Sequence, residues 1–230
     1  MARALRVLEP LCLLLVPAML LCCALMGWQH TALLSTLVVL LALLPFFLRF
    51  ERQRPRPRDL MPIVVLAAVA AVGRALFAPL PNFKPVSAII IVGAVCFGRQ
   101  SGFLIGALAA LASNLFFGQG AWTPWQMYAW GLMGYAAGCL RTTRLFAHQA
   151  GVLAFGVLAS YGYGLILNVW FLIAFVEPIT WATALATLVA SLAFDGAHAL
   201  STAVFLALIY RPWVRKLNRV KTKYGILETE

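Results

Sequence analysis

The side chains of this sequence that could do chemistry are few, and most sit in apolar surroundings. Asp195 and His198 stand three residues apart in "FDGAHALST", so both fall on one helix face. Asn168 sits within a second apolar run and Arg74 near the end of a third. Ionisable groups inside a membrane are costly and as a rule face the bundle interior. Asp195, His198 and Asn168 therefore read either as the lining or floor of a pocket or as structural hydrogen bonds, Asp195 to His198 or to Arg74. Arg74 has the further option of snorkelling outward. Two denser clusters accompany them. "APLPNFKPV" carries Asn82, Phe83 and Lys84; "SNLFFGQGAWTPWQMYAW" carries Asn114, Gln119, Trp122, Trp125, Gln126 and Tyr128. Amides supply donors and acceptors and aromatic rings supply flat walls, which is the equipment of a non-covalent site for a polar, partly planar ligand. The competing reading of the aromatics is a belt at the lipid headgroups.

Catalytic patterns are missing from the sequence. It has no G-x-x-x-x-G-K-[ST], no G-x-S-x-G and no H-E-x-x-H. No second acidic or metal-ligand cluster accompanies Asp195 and His198. The sequence is therefore read as a non-enzyme without metal or cofactor. Cys12, Cys22, Cys23, Cys96 and Cys139 all lie in apolar stretches and read as small buried apolar side chains.

These residues are positioned by a membrane bundle. Hydrophobic residues make up 63% of the 230 and charged residues 11%, against about 45–50% and about 25% in soluble proteins. That excludes a soluble globular domain, a disordered chain and a coiled coil. Eight apolar stretches follow one another: 8–27, 31–48, 60–78, 85–98, 101–118, 124–140, 151–176 and 181–210. They are Leu/Ala-rich without the alternation of barrel strands, so they predict helices. The first could also be a signal peptide behind Arg3 and Arg6, but its length and the span that follows at once favour a helix. The basic, Pro-rich linker 51–59 separates an N-terminal transmembrane hairpin (1–50) from a six-helix core (60–212) and a basic tail (213–230). No internal repeat is visible, so the inverted-repeat transporter architecture gains no support.

The net charge of +11 invites a nucleic-acid reading, but topology accounts for it. If the N-terminus is cytoplasmic and each stretch crosses once, 16 of the 18 Lys and Arg residues fall on the cytoplasmic side, Lys84 lies outside and Arg74 lies within a helix. Both termini are then cytoplasmic and the basic charge meets anionic headgroups. The two polar clusters face outward and could roof a pocket. The run after the Pro-rich loop has about 13 residues and reaches about 20 Å, short of a hydrocarbon core of about 30 Å, so helix or loop must dip below the outer surface. Small residues recur at spacing four: Ala67, Ala71 and Ala75; Gly102 and Gly106; Gly134 and Gly138. Such spacing lets helices approach closely; for the glycine pairs internal packing is the expected use.

The run from Ala67 to Gly138, with "PNFKPVSAI", "SNLFFGQGAWTPWQM" and "FDGAHALSTAVF", resembles the substrate-specific S component of energy-coupling factor (ECF) vitamin transporters, nearest the cobalamin-type branch. The resemblance covers roughly residues 60–212. It implies a multi-pass protein of the bacterial inner membrane that captures a vitamin, cobalamin or a related corrinoid, from outside. It also implies partners: a transmembrane coupling subunit and two cytoplasmic ATPases, whose ATP hydrolysis reorients the S component. The small-residue motif for docking maps onto Ala67 and Ala71. Substrate contacts map onto Asn82 to Lys84 and Asn114 to Tyr128. The N-terminal hairpin departs from the usual six helices. Two other readings stay open: a stand-alone proton-coupled transporter with Asp195 and His198 as relay, and a purely structural membrane protein.

Overall fold

The computed structural model describes residues 31–52 and 55–227. Among these residues every regular element is a helix: α1 (Thr31–Arg52), α2 (Pro57–Leu76), α3 (Val86–Phe97), α4 (Arg99–Phe117), α5 (Trp122–Leu140), the single turn α6 (Arg144–Ala147), α7 (Gln149–Phe175) and α8 (Trp181–Tyr224). The apolar stretch 8–27, with Cys12, Cys22 and Cys23, lies outside the described residues. Four helices, α2, α4, α7 and α8, are long and apolar enough to cross a membrane. The rim of the bundle exposes large apolar side chains such as Leu115, Leu158 and Phe175, a surface that lipid accepts and water penalises. Over its described residues this is an all-helical membrane protein. Cys96 is buried as expected, whereas Cys139 is exposed, since it sits on the outward face of α5.

The architecture is organised around α3. Eleven of its 12 residues are buried, and α2, α4, α5, α7 and α8 all pack on it. A run of Ile and Val with small residues between them suits such a post, because every face meets another helix. Gly98, at φ +92°, then turns the chain directly into α4, a conformation that costs glycine little.

Between α2 and α3, Pro79, Pro81 and Pro85 prevent a regular helix. This segment follows α8 inward. Asn82 Nδ2 donates to the carbonyl of Phe194 (2.8 Å), Ser201 Oγ donates to that of Lys84 (2.9 Å), and the rings of Phe77 and Phe83 rest against Phe205. Ser87, at the start of α3, pairs with His198, which lies about 25 Å along α8 from Trp181. So α3 begins deep within the bundle and leaves a space above its first turn.

α4 and α5 run antiparallel with their backbones almost touching. A Cβ on Gly102 would meet the carbonyl of Gly134 at 2.6 Å, and one on Gly106 would run into the backbone of Trp130. The segment from Asn114 to Trp130, whose composition reads as a loop, is mostly helix: α4 continues to Phe117, four residues turn the chain, and α5 starts at Trp122. Pro124 is tolerated because it falls in the first turn of α5, where its missing N–H has no intrahelical partner to lose.

α8 continues about 14 residues beyond the apolar run. At about 66 Å it far exceeds a hydrocarbon core of about 30 Å. Its basic end is tied down rather than free: Lys221 Nζ donates to the carbonyl of Cys96 at the C-terminus of α3 (3.2 Å), where a cation also meets the negative helix end. Leu227 N donates to Asp59 Oδ1 in the first turn of α2 (2.7 Å).

Candidate ligand cavity

The space above α3 is a cavity of about 440 Å³, within the range of about 300–1,000 Å³ typical of small-molecule sites. It lies where α2 and α7 end and α5 and α8 begin. Arg74 enters from α2, Asn82 and Lys84 from the Pro-rich segment and Val86 from α3. Trp122, Gln126 and Trp130 come from α5; Tyr163, Gly164, Leu167, Asn168, Trp170 and Phe171 from α7; Ser191, Phe194, Asp195 and His198 from α8.

One side is cationic. Arg74 turns inward rather than snorkelling: its Nη1 donates to Ser113 Oγ (2.6 Å) and Asn114 Oδ1 (2.7 Å). Its guanidinium lies 4.6 Å from the centre of the Phe117 ring and 5.2 Å from that of Trp130. Lys84 Nζ lies 4.7 Å from the same Phe117 ring. Burial, and then the nearby Arg74, push the Lys84 ammonium below the usual lysine range.

The floor is aromatic. Trp130 stacks on Tyr163 (4.8 Å), and the His198 ring meets Tyr163 edge-on (5.0 Å). Trp130 Nε1 donates to Ser87 Oγ (3.1 Å), which lies 2.7 Å from His198 Nε2. Trp122 and Trp170 approach edge to face nearer the mouth.

The α7–α8 side carries the acid. Asn168 Nδ2 donates to Ser191 Oγ (2.7 Å), and Ser191 can donate to Asp195 Oδ2 (2.9 Å). The Asp195 carboxylate sits directly over Gly164, where any Cβ would collide with it. Asp195 bonds neither His198 nor Arg74; the three groups have separate partners.

Of the residues singled out from sequence, Asn82, Lys84, Trp122, Gln126, Asn168, Arg74, Asp195 and His198 thus share one cavity. The others lie elsewhere. Asn114 is fully buried behind the wall. Its Oδ1 takes Arg74, and its Nδ2 donates to Gln126 Oε1 (2.8 Å) and Thr123 Oγ1 (3.0 Å), so it orients two residues that do line the cavity. Gln119 closes the α4–α5 turn through the carbonyl of Leu111. Phe83 packs on Phe205. Trp125 and Tyr128 belong to a second core with Val39, Leu43 and Phe46 of α1 and Phe103 of α4. Trp125 Nε1 has no hydrogen-bond partner among the described residues. Ala67 and Ala71 are each 3% exposed. They face inward, so a partner subunit cannot reach them while the bundle is closed. Trp130, the last residue of the aromatic-rich segment, also lines the cavity, whereas Tyr163, Gly164, Trp170, Phe171, Ser191 and Phe194 were not legible as cavity residues, since aromatic and small residues in apolar runs carry no mark of the face they will occupy.

The model of a family of unknown function, DUF6580, matches residues 53–219. The chain belongs to that family. No curated protein and no solved structure matches the chain. The DUF6580 span takes in every residue that lines the cavity and excludes α1. Within this member, α1 adds the apolar cover behind Trp125 and Tyr128 rather than any lining.

Proposed function

We propose that this protein is the substrate-specific S component of an ECF transporter, binding a small nutrient in the cavity for ATP-driven uptake by partner subunits. The observation that carries the reading is the deep start of α3, which opens a polar and aromatic cavity inside a helical membrane bundle. The helices α2, α3, α4, α5, α7 and α8 supply a six-helix core, with α1 as the described part of the preceding hairpin. Arg58, Arg99, Arg141, Arg144 and the basic end of α8 gather at the end opposite the cavity. The excess of positive charge on cytoplasmic segments then turns the cavity outward from the bacterial inner membrane. A volume of about 440 Å³ supports a ligand smaller than a whole corrinoid.

The coupling subunit would meet α2 on its exposed ridge, Val64, Ala68 and Val72, rather than through Ala67 and Ala71. The proton-relay alternative gains nothing from Asp195 and His198, which are bonded to different serines. The test is purification from native membranes in mild detergent. ATPase activity should co-elute with the wild-type protein, fall sharply with Ala68→Trp, and return with Ala68→Gly. A protein that elutes without ATPase activity and takes up solute on a proton gradient alone would sink this reading.

A further inference from the structure

We propose that the cavity selects a small planar organic acid that also carries an N–H donor, the anionic group on Arg74 and Lys84 and the donor on Asp195. This rests on reading the cavity as a nutrient site and names the class of nutrient.

The first ground is charge. Arg74 and Lys84 share one aromatic ring, Phe117, and among the described residues the guanidinium's hydrogen-bond acceptors are the neutral Ser113 and Asn114. Among the described residues neither cation is paired with a carboxylate, although two are brought together at a half-buried site. Unpaired charge in a membrane protein is expensive, and like charges in proximity add to the cost. A carboxylate seated between them removes both penalties, and a guanidinium still has donors to offer it.

The second ground is the opposite wall. The Asp195 carboxylate lines the cavity over Gly164; Ser191 Oγ lies 2.9 Å from its Oδ2, and Oδ1 has no donor among the described residues. An ionised carboxylate there accepts and cannot donate, so it favours an amine or ring N–H. The cavity's formal charge is that of two cations and one acid. An occupant with one negative charge brings it to neutrality.

The third ground is shape. Between the two charged sides stand Trp130, Tyr163 and His198, already packed ring to ring. Flat walls of this kind accept a planar ring at little entropic cost.

The probes are 4-aminobenzoate, its neutral isostere 4-aminobenzamide, and benzoate, which lacks the amine. Binding to the full chain in lipid nanodiscs is read by titration calorimetry. 4-Aminobenzoate should bind roughly 10- to 100-fold more tightly than 4-aminobenzamide, the range expected for charge-assisted hydrogen bonds, and several-fold more tightly than benzoate. Arg74→Gln should abolish the acid-over-amide preference. Lys84→Gln, in the connecting segment rather than a helix, should weaken it and guards against misfolding of the Arg74 variant. Asp195→Asn should abolish only the preference for the amine. Equal affinity for acid and amide, absence of saturable 4-aminobenzoate binding, or retained discrimination in both cation variants would overturn the proposal. Selective acid binding by a protein that recruits no ATPase would leave this inference standing and remove the S-component reading. Recruitment of ATPase without acid selectivity would do the reverse.

Discussion

The two antiparallel pairs α4–α5 and α7–α8 are built on opposite rules. In α4–α5, Gly102, Gly106, Gly131, Gly134 and Gly138 bring backbone against backbone or ring, and more than half of each helix is buried. In α7 the buried residues are only Val152, Gly156, Ser160 and Gly164, a single ridge at spacing four. That ridge meets α8 through side chains: Ser160 Oγ to Thr202 Oγ1 (2.9 Å), and Asp195 over Gly164. A contact between backbones leaves nothing that can rotate away, whereas a contact through side chains can be remade. The cavity lies between the two pairs. Trp130 and Gln126 of its lining stand on the rigid pair, while Tyr163, His198 and the acidic wall stand on the adjustable one. This division suits a site that must hold a ligand's ring in place yet admit and release it.

The largest effect should come from breaking the rigid pair. Gly106→Leu forces a side chain into the Trp130 backbone, which cannot yield by changing a rotamer. Overpacking typically costs about 1–3 kcal/mol and more where backbone must move, so loss of monodisperse protein is expected. Gly162→Leu on α7 meets nothing within 4 Å and should leave the unfolding midpoint within about 2 °C of wild type, since a surface substitution is worth about 0.5 kcal/mol or less. Thermal unfolding in detergent checks both; comparable midpoints for the two variants would erase the contrast.

A middle-sized effect sharpens it. Gly164→Ala also creates a collision, but with the carboxylate of Asp195, the movable end of a side chain. The bundle should stay folded with a midpoint lowered by only a few degrees, corresponding to about 1 kcal/mol, while the preference for 4-aminobenzoate over benzoate falls to near unity because Asp195 has been pushed aside. Unfolding as severe as that of Gly106→Leu would mean that α7–α8 is as rigid as α4–α5.

The same contrast explains what the sequence makes legible. Apolar runs mark helices because a spanning segment must satisfy its backbone internally, and glycines at spacing four mark the α4–α5 seam. Polar residues stranded in such runs, Arg74, Asn168, Asp195 and His198, are legible because lipid does not tolerate them. What escapes is rotation about each helix axis. Asn114 and Gln126 lie in one aromatic-rich segment, yet one falls behind the wall and the other on it. Tyr163 and Trp170 look like any lipid-facing aromatics until α7 packs against α5. Ala67 and Ala68 are adjacent, and helical geometry sends one inward and its neighbour outward. The extension of α8 escapes for another reason: its charges end the apolar run, while Trp213, Val214 and Leu217 continue a partly buried stripe that is too narrow to raise the average hydropathy.

The smallest effect belongs to Lys84, which lies in the segment that connects α2 to α3 rather than on either pair. Its proton is lost at a lower pH than that of an ordinary lysine, because burial and then Arg74 disfavour the ammonium. A bound carboxylate favours the ammonium, so affinity for 4-aminobenzoate should be flat while Lys84 is protonated and should decline as the pH rises through its depressed pKa. The loss should be a few-fold only, since Arg74 keeps its charge and Lys84 is partly exposed to screening solvent. Lys84→Arg should abolish the decline by keeping the charge at every pH tested. Lys84→Gln should give the weaker, pH-independent affinity throughout. A decline that survives in Lys84→Arg would assign the titration to another group and detach Lys84 from the anion end of the cavity.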